Sequence, residues 1–318
     1  MILRRTVWLH RAGDDKIRGR GVQLQESQRF LQEREFWFPI GAYRMRYLHV
    51  PAYAPPPRVL PAVVFVHGLL GYSFSWRNNL EFFAQHRDVY AVDLIGIGQS
   101  DRPKMGAMDF GLAASAARLL GFLRSLGHAQ IDLVATSHGG AVAMMAASQD
   151  CSYPEPIIRR MALVAPAHPF MTDARLRLAF FRTPFGRMVL RGLARRSSML
   201  RGRAVGRMYA HDSRVTPETL AGYAINVDDP RSYDYALEVI RTWRPDMEQL
   251  HAALHSISSI PVLLLWGEAD PVVSAESGLL LREFFRNVEY VVLPDVGHLP
   301  YEEAPGEFNR HVLHFLQK

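Results

Sequence analysis

The chain has 318 residues, enough for one large core or two ordinary domains. Apolar residues make up 48% and charged residues 21%, a globular mix that excludes a disordered or fibrous chain. The formal net charge of +6 is a modest, mostly arginine excess with no nucleic-acid motif beside it, so it reads as solvated surface and no nucleic-acid partner is expected.

Residues 1–35 are charged and glutamine-rich and read as an N-terminal extension, with one helix around Val22 to Arg34. Their basic start lacks the apolar stretch of a signal peptide. The whole chain lacks an apolar run of about 18 residues, so no membrane span is expected. Cys151 is the only cysteine, so no intramolecular disulfide forms; it reads as a small, buried or partly buried residue. The expectation is a soluble, cytoplasmic protein.

A β pattern begins at Phe36. Segments 36–40 and 43–50 flank Gly41-Ala42, which reads as a hairpin turn and predicts an antiparallel edge. Pro55-Pro56-Pro57 is a loop. A short continuous apolar run follows at 62–66, and similar runs recur at 89–92, 131–135, 161–165, 262–266 and 290–293. Such runs suit strands buried on both faces of a parallel sheet. Helical segments separate them: Leu112, Ala116, Leu119, Leu120, Leu123 and Leu126 share one face, another helix opens at Gly139-Gly140, and the last carries Pro305 in its first turn. Alternating strands and helices predict an α/β fold with a mainly parallel sheet of about eight strands covered on both faces. Residues 167–256 break the alternation. They show no buried strand and read as an inserted helical cap between two core segments, 36–166 and 257–318.

Four segments carry chemistry. Ser137 follows a strand, precedes a helix, and has the small residues Ala135 and Gly139 two positions to either side. A nucleophilic serine on a sharp strand-to-helix turn leaves room only for small neighbours, and the helix start turns free N–H groups toward it. The common pattern has glycine where Ala135 stands. Alternatively, Ser137 is an ordinary helix cap. His67-Gly68-Leu69-Leu70-Gly71 follows the strand ending at Val66 and offers backbone N–H groups, or is a simple turn. Asp270 lies just past a buried strand, where ligands bind in open α/β sheets, or else caps the next helix. His298 sits between the last strand and the last helix. The order is Ser, Asp, His, each past the C-terminal end of a predicted strand, so the three side chains can meet at one sheet edge.

On these residues, together with Asp93-Leu94-Ile95-Gly96-Ile97-Gly98-Gln99-Ser100, Gly267-Glu268-Ala269-Asp270 and Gly297-His298-Leu299-Pro300-Tyr301-Glu302, the chain resembles the α/β-hydrolase superfamily from about residue 36 to 318. The resemblance implies a serine hydrolase with Ser137 as nucleophile, His298 as base and Asp270 as its orienting acid. It also implies an oxyanion hole from the backbone N–H groups of Leu69 and His138, the ring of His138 not being needed. Asp93 and Ser100 match a motif that is usually structural. No cofactor or metal is implied. Haloalkane dehalogenases and epoxide hydrolases of the superfamily carry aspartate at the elbow, so serine argues against both. Carboxylic esters are the commonest substrates of the remaining members, with thioesters, carbon–carbon bonds and perhydrolysis as alternatives. A non-catalytic binding protein on the same fold is a further one.

The expected partner is a small ester with an apolar acyl group. Arginines from Arg175 to Arg207 interleave with large apolar residues. They read as a solvated face over an acyl pocket, with peripheral membrane contact as the alternative.

Overall fold

The computed structural model describes residues 34–53, 60–171, 183 and 205–318. The chain divides into compact units at 1–35 and 36–318. The helix expected before Arg34, the Pro55-Pro56-Pro57 loop and nearly all of the arginine-rich stretch from Arg175 to Arg207 lie outside the described residues.

The strands are β1 (Glu35–Ile40), β2 (Tyr43–Val50), β3 (Ala62–Val66), β4 (Val89–Val92), β5 (Ile131–Thr136), β6 (Ile158–Val164), β7 (Val262–Gly267) and β8 (Val288–Leu293). They form one eight-stranded sheet in the order β1-β2-β4-β3-β5-β6-β7-β8. β2 runs antiparallel to β4, and the pairs from β4 through β3, β5, β6 and β7 to β8 are parallel. The central strands β3, β4 and β5 are buried along their whole length, as continuous apolar runs require when helices cover both faces. β8, at the edge, is mostly half-buried.

The helices are α1 (Leu80–Phe83), α2 (Leu112–Ser125), α3 (Ser137–Asp150), α4 (Pro217–Val227), α5 (Pro230–Ala253), α6 (Ala275–Arg282), α7 (Pro300–Glu303) and α8 (Pro305–Gln317). α2 and α3 pack on each other, and α5 lies against both. Between β6 and β7 the described residues contain helices and no strand. None of the described helices is long and apolar enough to cross a membrane. Cys151 is half-buried at the end of α3, and burial pushes its thiol up.

Within the described strands two charged residues are buried, and each is paired. Asp132 in β5 has a fully buried side chain, held by Arg87 at 3.2 Å and Arg159 at 2.7 Å. Arg46 in β2 lies 3.2 Å from the equally buried Asp93. A buried charge is tolerated only with such partners.

Candidate active site

Ser137 stands at the junction of β5 and α3 with φ of +50°. A non-glycine residue held there stores roughly 1–3 kcal/mol of backbone strain. The helix cap is Thr136, whose side chain makes no capping bond, and Ser137 is already the first helical residue. The serine is therefore not a helix cap, and the strained turn projects its half-buried side chain from the end of β5.

Close packing around this turn explains its small neighbours. A Cβ on Gly139 would lie 2.2 Å from the carbonyl oxygen of His67 and 2.8 Å from that of Val66. A Cβ on Gly68 would lie 3.0 Å from Cβ of Ser137 and 3.6 Å from its Oγ. Ala135 is fully buried within β5, so the smallest side chain suffices where glycine is commoner.

The loop after β3 thus runs directly beside the serine, and the His67 ring fixes it. His67 Nδ1–H donates to the carbonyl of Gly68 at 2.8 Å, and Nε2 accepts from the N–H of Leu94 at 2.9 Å. Burial lowers the pKa of this ring, keeping it neutral, as those two bonds require. Gly71 N–H closes the turn onto Gly68 O at 3.0 Å, and Leu70 sits at φ +62°. Leu69, half-buried, lies within that turn. His138 is the second residue of α3, where backbone N–H groups have no intrahelical acceptor. Its buried ring has no partner at Nδ1, and burial lowers its pKa to about 4, so it is neutral.

Asp270 and His298 are in direct contact. His298 Nδ1–H donates to Asp270 Oδ2 at 2.7 Å, and both side chains are buried. The other oxygen, Asp270 Oδ1, accepts from the N–H groups of Val272 at 2.7 Å and Val273 at 3.0 Å. The following helix, α6, is capped by Ser274, so Asp270 has no capping task. The aspartate fixes the tautomer that leaves Nε2 of His298 unprotonated, the form a general base needs.

The two loops are pressed together. A Cβ on Gly267 would lie 2.1 Å from the carbonyl oxygen of Gly297. Glu268 N–H donates to Leu293 O and Ala269 N–H to Val296 O, each at 2.9 Å. His67, Ser137, Asp270 and His298 follow β3, β5, β7 and β8, whose parallel pairing places all four at one sheet edge.

Asp93 serves the frame. Its carboxylate accepts from Ser73 N–H at 2.7 Å and Gln99 N–H at 2.8 Å besides Arg46, and Ser100 Oγ accepts from Arg46 N–H at 2.8 Å. Among the described residues no group of His, Cys, Asp and Glu is arranged to hold a metal ion.

Sequence reasoning missed several residues that hold the site. Asn226 of α4 is fully buried and joins the loops after β3 and β4: Nδ2 donates to Leu70 O at 3.1 Å, and Oδ1 accepts from Gly98 N–H at 3.0 Å. Glu302 accepts from Arg77 at 2.8 Å, from Tyr209 at 2.7 Å and from Tyr223. Glu303 was also missed. The Glu302-Glu303 pair beside His298 was the available signal, but the partners of Glu302 lie 79 to 225 residues away and leave no local pattern.

The alpha/beta hydrolase fold family matches residues 61–305. YugF, an uncharacterised hydrolase of Bacillus subtilis, is 27% identical over 281 residues, covering 88% of this chain and 97% of its own. A putative lipase from Acinetobacter baumannii superimposes with a TM-score of 0.76 at 18% identity, over 93% of this chain and 95% of its own. The epoxide hydrolase CorEH gives 0.74 at 20% identity, over 89% and 98%. Two neighbours of different chemistry fit about equally well, so the likeness carries the fold and leaves the reaction to the site residues. The family match spans most of the chain and includes the strands that present Ser137, Asp270 and His298, and the chain belongs to the α/β-hydrolase fold family.

Proposed function

We propose that the chain is a serine hydrolase that cleaves carboxylic esters through an acyl-enzyme, with Ser137, His298 and Asp270 as the triad. The observation that carries this reading is the strained turn that projects Ser137 from the sheet edge shared with the bonded His298–Asp270 pair. His298 Nε2 takes the hydroxyl proton as Ser137 Oγ attacks the ester carbonyl. Asp270 stabilises the imidazolium through Nδ1. The N–H groups of Leu69 and His138 receive the negative oxygen, and losing one such donor in comparable enzymes costs about 3–4 kcal/mol. The imidazolium then gives its proton to the departing alcohol. Water, deprotonated by His298, attacks the acyl-serine, and the acid leaves with Ser137 restored.

Serine at this turn favours acyl transfer over epoxide opening, for which members of the family are expected to carry aspartate. Segment 167–256 is proposed as the cap that shapes the acyl pocket.

The test is hydrolysis of p-nitrophenyl esters of graded acyl length, with Ser137→Ala as control. The expected loss in the variant is at least about 10⁴-fold in kcat, in line with removal of a nucleophile. Wild-type rates in Ser137→Ala would refute the reading. A fluorophosphonate probe separates the alternative of a binding protein, since labelling needs an activated serine.

A further inference from the structure

The loop that carries His298 is fastened to chain from the segment between β6 and β7. His298 N–H donates to the carbonyl of Met208 at 2.7 Å. A Cβ on Gly297 would lie 2.5 Å from the nitrogen of Ala210 and 2.6 Å from the Met208 oxygen, so the two backbones touch. One carboxylate spans the junction. Glu303 Oε1 accepts from Gly297 N–H at 2.8 Å, while Oε2 accepts from Ala210 N–H at 3.0 Å and from Arg214 Nη1 at 3.3 Å. Its side chain has no exposed surface.

Outside this junction, Arg214 also donates to the carbonyl and carboxylate of Asp295, and His211 meets Asp295 at 2.5 Å. Asp295 is exposed and stands at φ +58°, three residues before His298. These outer pairs are solvent-screened and contribute little. The buried carboxylate differs, because each N–H it leaves would be stranded without water.

We propose that Glu303 is a positioning residue for His298, holding the loop of the base against residues 208–210. The proposal rests on the reading of His298 as general base. Glu303 bonds to neither the imidazole nor the serine; it acts through the backbone beside the ring. Nδ1 of His298 is fixed by Asp270, but the position of the ring along the sheet edge depends on residues 297 and 298, and those are set by Glu303 and Met208. The base is aligned only while the 208–210 segment is docked.

Glu303→Gln tests this on the full chain. Glutamine has the same shape but a single oxygen, so it accepts from Gly297 or from Ala210 and not from both. Ester hydrolysis, thermal unfolding and the downfield proton NMR signal of His298 Nδ1–H are measured together. The expected result is a fall in kcat of about tenfold to 100-fold, the scale of a slightly misplaced catalytic group, with KM unchanged. The downfield signal should broaden or shift while the variant stays folded. Glu303→Asp keeps the charge but is one methylene too short to span both N–H groups, and the same loss is expected.

Unchanged kcat in either folded variant, or a defect in KM alone, overturns the proposal. If the wild type cleaves no ester, the esterase reading fails by itself. The NMR signal needs no substrate and still decides: an unaltered signal in the variant overturns the positioning role. Should neither variant fold, hydrogen exchange in the wild type is the measurement. The amides of Gly297, His298 and Ala210 are expected to exchange with one common protection, and independent exchange overturns the proposal.

Discussion

Gly139 shows what a single missing methyl group permits. With 2.2 Å between a Cβ there and the His67 carbonyl oxygen, any side chain must push the loop after β3 away from the start of α3. That loop and that helix start carry the N–H groups of Leu69 and His138, proposed above for the oxyanion. Gly139→Ala is expected to destabilise the fold by roughly 1–3 kcal/mol, the range for overpacking, measured by urea unfolding. In the folded fraction it should lower kcat more than it raises KM, because the donors move relative to the developing charge. The strain at Ser137 belongs to the same scale: the neighbouring contacts hold φ at +50°, and the residue alone would not choose it.

At the scale of elements, the loop after β3 and the loop after β8 are each braced from the segment between β6 and β7. Asn226 on α4 holds the first at Leu70 and ties it to Gly98 in the loop after β4, and Glu303 joins the second to Ala210. Asn226→Asp keeps the size but replaces the amide donor with an oxygen facing the Leu70 carbonyl. The expected outcome is a drop of about tenfold in kcat and a melting temperature lower by a few degrees, from one buried bond lost and one repulsion gained. Steady-state kinetics and thermal unfolding of the purified variant check it. An unaffected kcat would show that the brace is not needed by the loop.

For the whole molecule, buried neutral imidazoles give a pH dependence of folding. Burial lowers His138 and His168 from 6.5 to about 4 and moves His67 in the same direction. The unfolded chain therefore binds protons that the folded chain refuses. This stability is fully present above about pH 6.5 and is lost as pH falls from there toward 4, by about 3 kcal/mol for a fully buried ring. Asp132, Asp246 and Glu303, whose carboxyls burial pushes up, act in the opposite sense. His168 tests the effect: its Nε2–H donates to Ser277 Oγ at 3.1 Å, and it bonds to none of Ser137, Asp270 and His298. His168→Gln does not titrate and keeps an amide donor. Its unfolding free energy should fall less between pH 6.5 and 4 than that of the wild type, as urea titrations at a series of pH values would show.

Local pattern sufficed for the strands, because a strand buried on both faces must be largely apolar; 62–66 and 89–92 are so throughout, and 131–135 is so except for Asp132. It also sufficed for Ser137, Asp270 and His298 as candidates, since each sits beside its own strand end and the turn residues around it are local. The pattern could not decide whether Ser137 and Asp270 were mere helix caps. Tertiary structure decided both: φ of +50° at Ser137 with Thr136 as the cap, and the 2.7 Å bond from His298 with Ser274 capping α6. The strand order, with β4 between β2 and β3, was likewise a matter of packing. So were the bonds of Asn226 to Leu70 and Gly98, of Glu302 to Arg77 and Tyr223, and of Glu303 to Ala210, which the fold brings together across tens to hundreds of residues. Sequence by itself determines periodicity and turn chemistry, which act over a few residues; bracing of the loops that carry Leu69 and His298 by buried hydrogen bonds exists only once the chain has closed on itself.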